Sequence, residues 1–297
     1  MKKIILLLLV SPCFVFAQDD LLGELEKGSA EETEYAFATF KGTRLGNGHT
    51  IETKNAGSLE FIFGHRFGAI NGGAYEMFGL DQAYVRLGLD YGITDRLSLS
   101  IGRNSTDKTM DGYLKYKVLR QSKGAKNFPV TVTALGGMAY KISPKSSDAP
   151  EGFEDVDRLS YTGQLFIARK FSTNLSLQLM PTIIHKNLVE SYEENNQVAL
   201  GIGGRLKLTK SLALTTEYYY NFSAPDNSTL TEDQKQYDAF TLGIDIETGG
   251  HVFQLLLTNA IGLTERAFIT ETRDDFFAGD IHFGFNVTRT FQLKKNK

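Results

Sequence analysis

Two alternating runs joined by a tight turn occupy residues 196–222. In the first, Val198, Leu200, Ile202, Leu206 and Leu208 share one parity, and Ala199, Gly201, Gly203, Arg205 and Lys207 share the other. After Thr209, Lys210 and Ser211 the alternation resumes, with Leu212, Leu214, Thr216, Tyr218, Tyr220 and Phe222 against Ala213, Thr215, Glu217, Tyr219 and Asn221. Side chains alternate across a strand, so this spacing predicts an antiparallel hairpin with one apolar face and one small or charged face.

The same plan recurs along the chain. Leu59, Phe61 and Phe63 open it; Val85, Leu87, Leu89 and Tyr91 then alternate with Arg86, Gly88 and Asp90, and Leu97, Leu99 and Ile101 alternate with serines and Gly102. Leu114, Tyr116 and Val118 alternate with Lys115 and Lys117, followed by Val130, Val132 and Ala134; Leu165 and Ile167 lead to Leu175, Leu177, Leu179 and Ile183. Phe240, Leu242, Ile244 and Ile246 alternate with Thr241, Gly243, Asp245 and Glu247, and Gly249–Gly250 supplies the positive φ that a type I′ turn needs. That turn sets Thr248 against His251 and Asp245 against Gln254. The last strand spans 279–291, with Ile281, Phe283, Phe285 and Val287 on one side and Asp280, His282, Gly284 and Asn286 on the other.

The count from Leu59 is about twelve strands, with short turns near Thr94, Gly124, Thr173, Lys210 and Gly249 alternating with long loops near Asn71, Asp107, Pro150, Glu193, Asn227 and Arg273. The fold class expected is therefore all-β, an antiparallel up-and-down transmembrane β-barrel over residues 57–293, both ends emerging on the short-turn side. Tyr218, Tyr219, Tyr220 and Phe222 at a loop-side strand end suit an interfacial aromatic girdle, although the chain has no Trp. A soluble lipocalin-type barrel would alternate too, with its apolar parity inward; its usual eight or so strands fit this length less well.

Composition agrees with strands rather than helices: 41% of residues are hydrophobic, with 29 glycines, 21 phenylalanines, 13 tyrosines and 6 prolines. Beyond the N-terminus no run approaches the roughly 20 apolar residues of a membrane-spanning helix. The opening MKKIILLLLVSPCFVFAQ sets Lys2 and Lys3 before an apolar core, with Val15 and Ala17 at the small positions of a cleavage site, so residues 1–17 are expected to be a cleaved secretory signal peptide. Pro12 breaks the apolar run, against an anchor helix, and is a poor neighbour for a lipidated Cys13. Cys13 is the only cysteine, so the mature chain has no disulfide, thiolate metal site or cysteine nucleophile. Residues 18–56 form a polar segment expected to be a plug or an extra strand: 19–27 suits a short helix and 34–44 a strand.

The stretches GHRFGAINGGAYEMFGLDQAYVRLGLDYGITDRL, DGYLKYKVLRQ, DIETGGHVFQLLLTNAIGLTERAFI and GDIHFGFNVTRTF, taken in order, resemble an uncharacterised β-barrel family of Bacteroidetes, a domain of unknown function. The resemblance spans most of the mature chain. It implies an outer-membrane-type barrel and supplies neither an activity nor functional residues to carry over.

Enzyme chemistry finds little support. Barrel phospholipases and deacylases use His-x-Ser, and none of His49, His65, His185, His251 or His282 has serine at the second position after it. An omptin-like rim protease needs Asp-x-His with further aspartates; Asp280 and His282 share a strand face and Asp155–Asp157 form an Asp-x-Asp, a remote alternative given 35 acidic residues. The plainer reading of Arg86, Asp90, Lys115, Lys117, Arg205, Glu217, Asp245, Asp280 and His282 is a lumen lined by charges of both signs. Within it, Arg205 is expected to pair with Glu217, diagonal to it across the hairpin. Acidic residues crowd the long loops, with Glu151, Glu154, Asp155 and Asp157 the candidates for a mildly cation-selective outer mouth. No cofactor, metal-ligand spacing or nucleic-acid surface is indicated. The expectation is thus a non-enzymatic cell outer membrane barrel, a porin-like passive channel contacting lipid and passing small polar solutes or cations. The alternative is a structural or partner-binding barrel without transport.

Overall fold

The computed structural model describes residues 32–142 and 151–294 of the 297-residue chain. The expected signal peptide and the first part of the polar segment that follows it lie outside the described residues. Twelve strands close into one barrel in which every neighbouring pair is antiparallel. They are β1 (Ser58–Ala69), β2 (Ala83–Thr94), β3 (Leu97–Asn104), β4 (Thr109–Leu119), β5 (Thr131–Lys141), β6 (Leu159–Lys170), β7 (Leu175–Lys186), β8 (Asn196–Lys207), β9 (Leu212–Asn221), β10 (Ala239–Thr248), β11 (His251–Thr258) and β12 (His282–Gln292). Each pairs with the next, and β12 pairs with β1, so no edge is left open.

The alternation of the sequence sets which parity faces where. Leu206 is 44% exposed on the outer wall, whereas neighbouring Arg205 is 8% exposed inside. Leu200, Leu214, Leu242, Ile244, Leu255 and Leu257 likewise face out, and Thr133, Gln178, Thr241, Gln254 and Thr288 are buried within. This is the reverse of a soluble barrel, whose apolar parity points inward. Registers follow the pattern too: Arg205 lies opposite Thr215, Asp245 opposite Gln254 and Thr248 opposite His251. Single cysteines test the faces. A residue placed at Leu206 is expected to resist a water-soluble thiol reagent in bilayers and to react with a lipid-soluble one; rapid aqueous labelling there would reverse the assignment.

Several expected features differ. The connection near Gly124 runs from residue 120 to 130, because Ser122–Lys123 pairs with the two-residue strand Glu34–Tyr35 at the short-turn rim. That pairing is all that forms of the strand expected over 34–44. The loop near Asp107 is short, closing over Ser105–Lys108 with positive φ at Asp107 and Lys108. Tyr219 points inward, 1% exposed, and so leaves the aromatic girdle to Tyr218, Tyr220 and Phe222. Its place on the polar parity is the reason.

The lumen is filled from both ends. From the short-turn side the chain enters after Tyr35, and Thr39, Phe40, Thr43, Leu45, His49, Thr50 and Ile51 are all buried. An Arg44–His49 bridge makes this segment a small hairpin, which returns to Ser58 at the start of β1. From the loop side, the connection after Thr258 folds inward as α1 (Glu265–Thr270), every residue of which is buried. Phe40, Leu45 and Ile51 of the hairpin and Phe268 and Ile269 of α1 share one apolar cluster with the inward Tyr113, Leu135, Phe166, Met180, Ile184 and Tyr219 of the wall. Burying each of the larger side chains stabilises by about 1.5–3 kcal/mol relative to exposure. These inward residues give the two fillers an apolar seat on the wall, set among buried polar side chains such as Lys115, Thr133 and Gln178.

Candidate functional site

The hairpin tip, Leu45–Gly48, is held almost entirely by polar side chains of the wall. The backbone amides of Asn47 and Gly48 both donate to the Glu217 carboxylate, Gly48 N lying 3.1 Å from Oε1 and 3.2 Å from Oε2. Asn47 Oδ1 accepts from Arg66 Nη2 at 2.6 Å and Nε at 3.1 Å, while its Nδ2 donates to the hydroxyls of Thr241 and Thr258, each at 3.0 Å. Gln254 Nε2 donates to the Leu45 carbonyl at 3.1 Å, and Asn286 Nδ2 to that of Gly46 at 2.8 Å. A turn this far inside a barrel is withdrawn from bulk solvent, so the wall supplies the partners for its backbone. Gly48 is obligatory here, because a Cβ would overlap the Tyr219 hydroxyl.

The two fillers meet at Glu265. Its Oε1 lies 3.2 Å from Arg44 Nη1 and 3.3 Å from His49 Nε2, and Arg44, His49 and Glu265 are all buried. His49 packs edge-on against Tyr113, ring centroids 4.4 Å apart. Hairpin, α1 and wall thus form a septum across the barrel. Within it a void of about 20 Å³ lies among Arg44, Arg66, Arg86 and Leu263, room for a single water molecule.

On either side of the septum is a vestibule. The short-turn one, about 420 Å³, is lined by Phe40, Ile51, Glu52, Lys54, Lys117 and Arg120 among others. The loop-side one, about 360 Å³, is lined by Asp107, Lys141, Lys186, Glu193, Glu271 and Arg273 over a floor of Ile261, Gly262 and Ala267. A chain of alternating charges runs along that wall. Lys141 meets Asp107 at 3.2 Å, Asp107 meets Arg266 at 3.1 Å, and Arg266 bonds Glu271. Glu271 lies 3.6 Å from Lys186, Lys186 2.7 Å from Glu193, and Glu193 3.6 Å from Arg273. This chain ties the inward-folded loop to β5, to β7 and to two neighbouring loops.

Burial alone would raise the Glu271 carboxyl, but the cations of Arg266, Lys141 and Lys186 outweigh it and hold it below the usual carboxylate range. For Asp107, burial likewise raises, and Lys141 and Arg266 bring the net shift downward. A carboxylate depressed in the folded state stabilises fully above its unfolded pKa of about 4 and loses that contribution as pH falls through the folded value. The charge chain is therefore expected to be insensitive to pH between 8 and 5 and to release the inward-folded loop only in stronger acid. A nitroxide at Ala278, exposed on the same loop, would report this as spectra unchanged to pH 5 and mobile near pH 3; loosening already at pH 6 would contradict it.

The lumen candidates from the sequence fall as follows. Arg86 pairs with Asp111 at 2.5 Å, and Asp90 accepts from Ser100 at 2.5 Å and Tyr113 at 2.6 Å. Lys115, 1% exposed, has its Nζ 5.5 Å from the Phe166 ring centroid, and Lys117 reaches Glu52 at 3.1 Å. Arg205 and Glu217 are both inside but do not pair. Glu217 is occupied by the hairpin amides, and Arg205 turns instead to Glu247 at 2.7 Å and Asp245 at 3.7 Å. The last strand begins at His282 and alternates from there, so Asp280 lies outside it and accepts from Asn71 at 2.5 Å. His282 is buried, with Nδ1 3.0 Å from the Phe67 carbonyl and Nε2 2.8 Å from Asp274; both ring nitrogens thus face acceptors. Asp280 and His282 accordingly do not form the expected Asp-x-His face. Glu151, Glu154 and Asp155 are exposed in the loop between β5 and β6, and Asp157 closes a capping box with Glu154.

Arg66, Asn47, Arg44, His49 and Glu265 were not singled out by the pattern. Arg66 was findable, as the charged member of the polar parity of β1. The other four lie in segments without periodicity.

The family described as a membrane-bound β-barrel domain, DUF5777, matches residues 40–291. Among solved structures, an outer membrane channel from Pseudomonas putida F1 is 14% identical at a TM-score of 0.49, covering 81% of this chain and 98% of its own. The NanC porin is 12% identical at 0.46, covering 80% and 100%, and the KdgM porin in complex with disordered oligogalacturonate is 10% identical at 0.46, covering 79% and 99%. No curated protein matches.

Proposed function

We propose, for a chain that belongs to the DUF5777 family of membrane-bound β-barrel domains, a gated outer-membrane channel for small polar solutes. One observation carries the reading: a polar-lined vestibule opens at each end, and the septum between them is built from two segments that are not part of the wall. Displacing wall strands would break the barrel ladder, whereas displacing a hairpin and a six-residue helix leaves it whole. Placement in the outer membrane rests on the apolar outer wall together with the leader-like residues 1–17.

The alternative is a permanently closed barrel that acts through its loops, and the apolar seat under Phe40, Ile51 and Phe268 favours it. Planar-bilayer recording separates the two. The full-length protein is expected to be closed most of the time with rare unitary steps, and deletion of residues 18–56 to make openings frequent, with residual closure by α1. Silence in both would overturn the channel reading and leave the closed barrel.

A further inference from the structure

We infer that the loop-side vestibule is a binding site for small zwitterions, of the class of amino acids and short peptides. The inference rests on the channel reading for its physiological role and on the vestibule alone for its chemistry. The cavity, about 360 Å³, lies within the range of small-molecule sites. Its floor, Ile261, Gly262 and Ala267, is apolar and small, and its walls carry both signs of charge.

The decisive feature is which charges keep spare capacity. The alternating chain described above begins at Lys141 and ends at Arg273, both partly exposed and each paired with one carboxylate among the described residues; Arg273 also donates through Nη1 to the Gln234 carbonyl at 2.5 Å, and its remaining N–H groups are the ones open to a ligand. Its interior members are saturated: Lys186 and Glu193 are 5% and 4% exposed and bonded on two sides. Glu190, exposed on the same rim, lines the cavity as the carboxylate outside that chain. The lining itself carries Lys141, Lys186 and Arg273 against Asp107, Glu190, Glu193 and Glu271, and Arg266, a member of the chain that lies outside the lining, brings the cluster to balance. A charge-balanced cluster that offers the cavity cationic groups at two points and a carboxylate at a third matches a ligand that is itself neutral and dipolar. An anion alone would meet Glu190 and the acidic outer loops, and a cation alone would meet Lys141 and Arg273; each gains one contact and incurs one repulsion. A zwitterion sets its carboxylate on Lys141 or Arg273 and its ammonium on Glu190.

Glycylglycine is the probe, with succinate and choline as single-sign controls, and NMR saturation transfer from the detergent-solubilised full-length protein is the readout, independent of conduction. Glycylglycine is expected to bind at least fivefold more tightly than either control. K141Q with R273Q, and E190Q separately, should each weaken it about tenfold, while K141R retains it. Glu190 is exposed, whereas Lys141 and Arg273 also pair with Asp107 and Glu193, so heat-modifiable gel mobility checks that each variant is folded and K141R keeps the charge as the control. Absence of glycylglycine binding, equal binding of succinate or choline, or equal binding by the variants would overturn the inference. Binding without conduction would sink the channel reading and spare the site; conduction without binding would do the opposite.

Discussion

Replacing Glu265 with alanine is expected to destabilise the filled lumen by about 3–5 kcal/mol, the usual consequence of removing one partner from a buried ion pair. The size follows from what is left behind. Arg44 is 6% exposed and Glu265 is the carboxylate it pairs with, so the truncation strands a guanidinium inside the barrel facing the Asn47 carbonyl and the Tyr113 ring. His49 loses the same oxygen. Urea unfolding followed by gel mobility gives the measurement, and pairing the change with Arg44→Met supplies the control. The double variant should recover most of the loss, because no charge is then left unpaired. Additive losses would show that Glu265 and Arg44 act independently and that the two lumenal segments are not coupled there.

Gly48→Ala should unseat the hairpin although it adds a single methyl group. That methyl would collide with the Tyr219 hydroxyl, and Tyr219 has no room to withdraw, being buried against Met180, with its hydroxyl 3.0 Å from the sulfur, and edge-on to Phe268. Moving the tip instead pulls the Asn47 and Gly48 amides off Glu217, leaving a buried carboxylate short of donors. Overpacking and lost charge-assisted bonds together predict a loss of about 3 kcal/mol. Tyr219→Phe removes the oxygen in the way and should restore part of the stability of Gly48→Ala while doing little by itself. A double variant no better than Gly48→Ala would mean that the collision is not what fixes glycine at this position.

The wall was legible in the sequence because a strand writes its two faces as a period of two. Leu206 against Arg205 and Ile244 against Asp245 announced both the strand and its orientation, and the Gly249–Gly250 turn fixed a register that the structure reproduces, although of the two glycines Gly250 alone has positive φ and the turn is therefore not the expected type I′. The septum was not legible for the complementary reason. The Thr43–Thr50 hairpin and α1 are too short to show a period, and their partners are drawn from strands far away in the chain, as with Asn47 and Thr258. Arg205 and Glu217 show how this misleads: their diagonal placement was readable, but the hairpin that takes Glu217 away was invisible to local spacing. The apolar seat was half visible. Phe166, Met180 and Tyr219 lie on the inward parity, where a water-filled channel would carry polar groups, and three large apolar residues there already signal something to bury against.

The central claim is that residues 43–50 occupy the lumen and hold it closed, and one measurement meets it directly. Asn47→Cys and Thr241→Cys, whose native side chains touch at 3.0 Å, would be joined by a short thiol crosslinker cleavable by reductant, and unitary currents recorded before and after reduction in the same bilayer. The account predicts efficient crosslinking, no openings while the link is intact, and openings once it is cut. Failure of the two cysteines to crosslink, or currents that are the same in the linked and reduced protein, would contradict it.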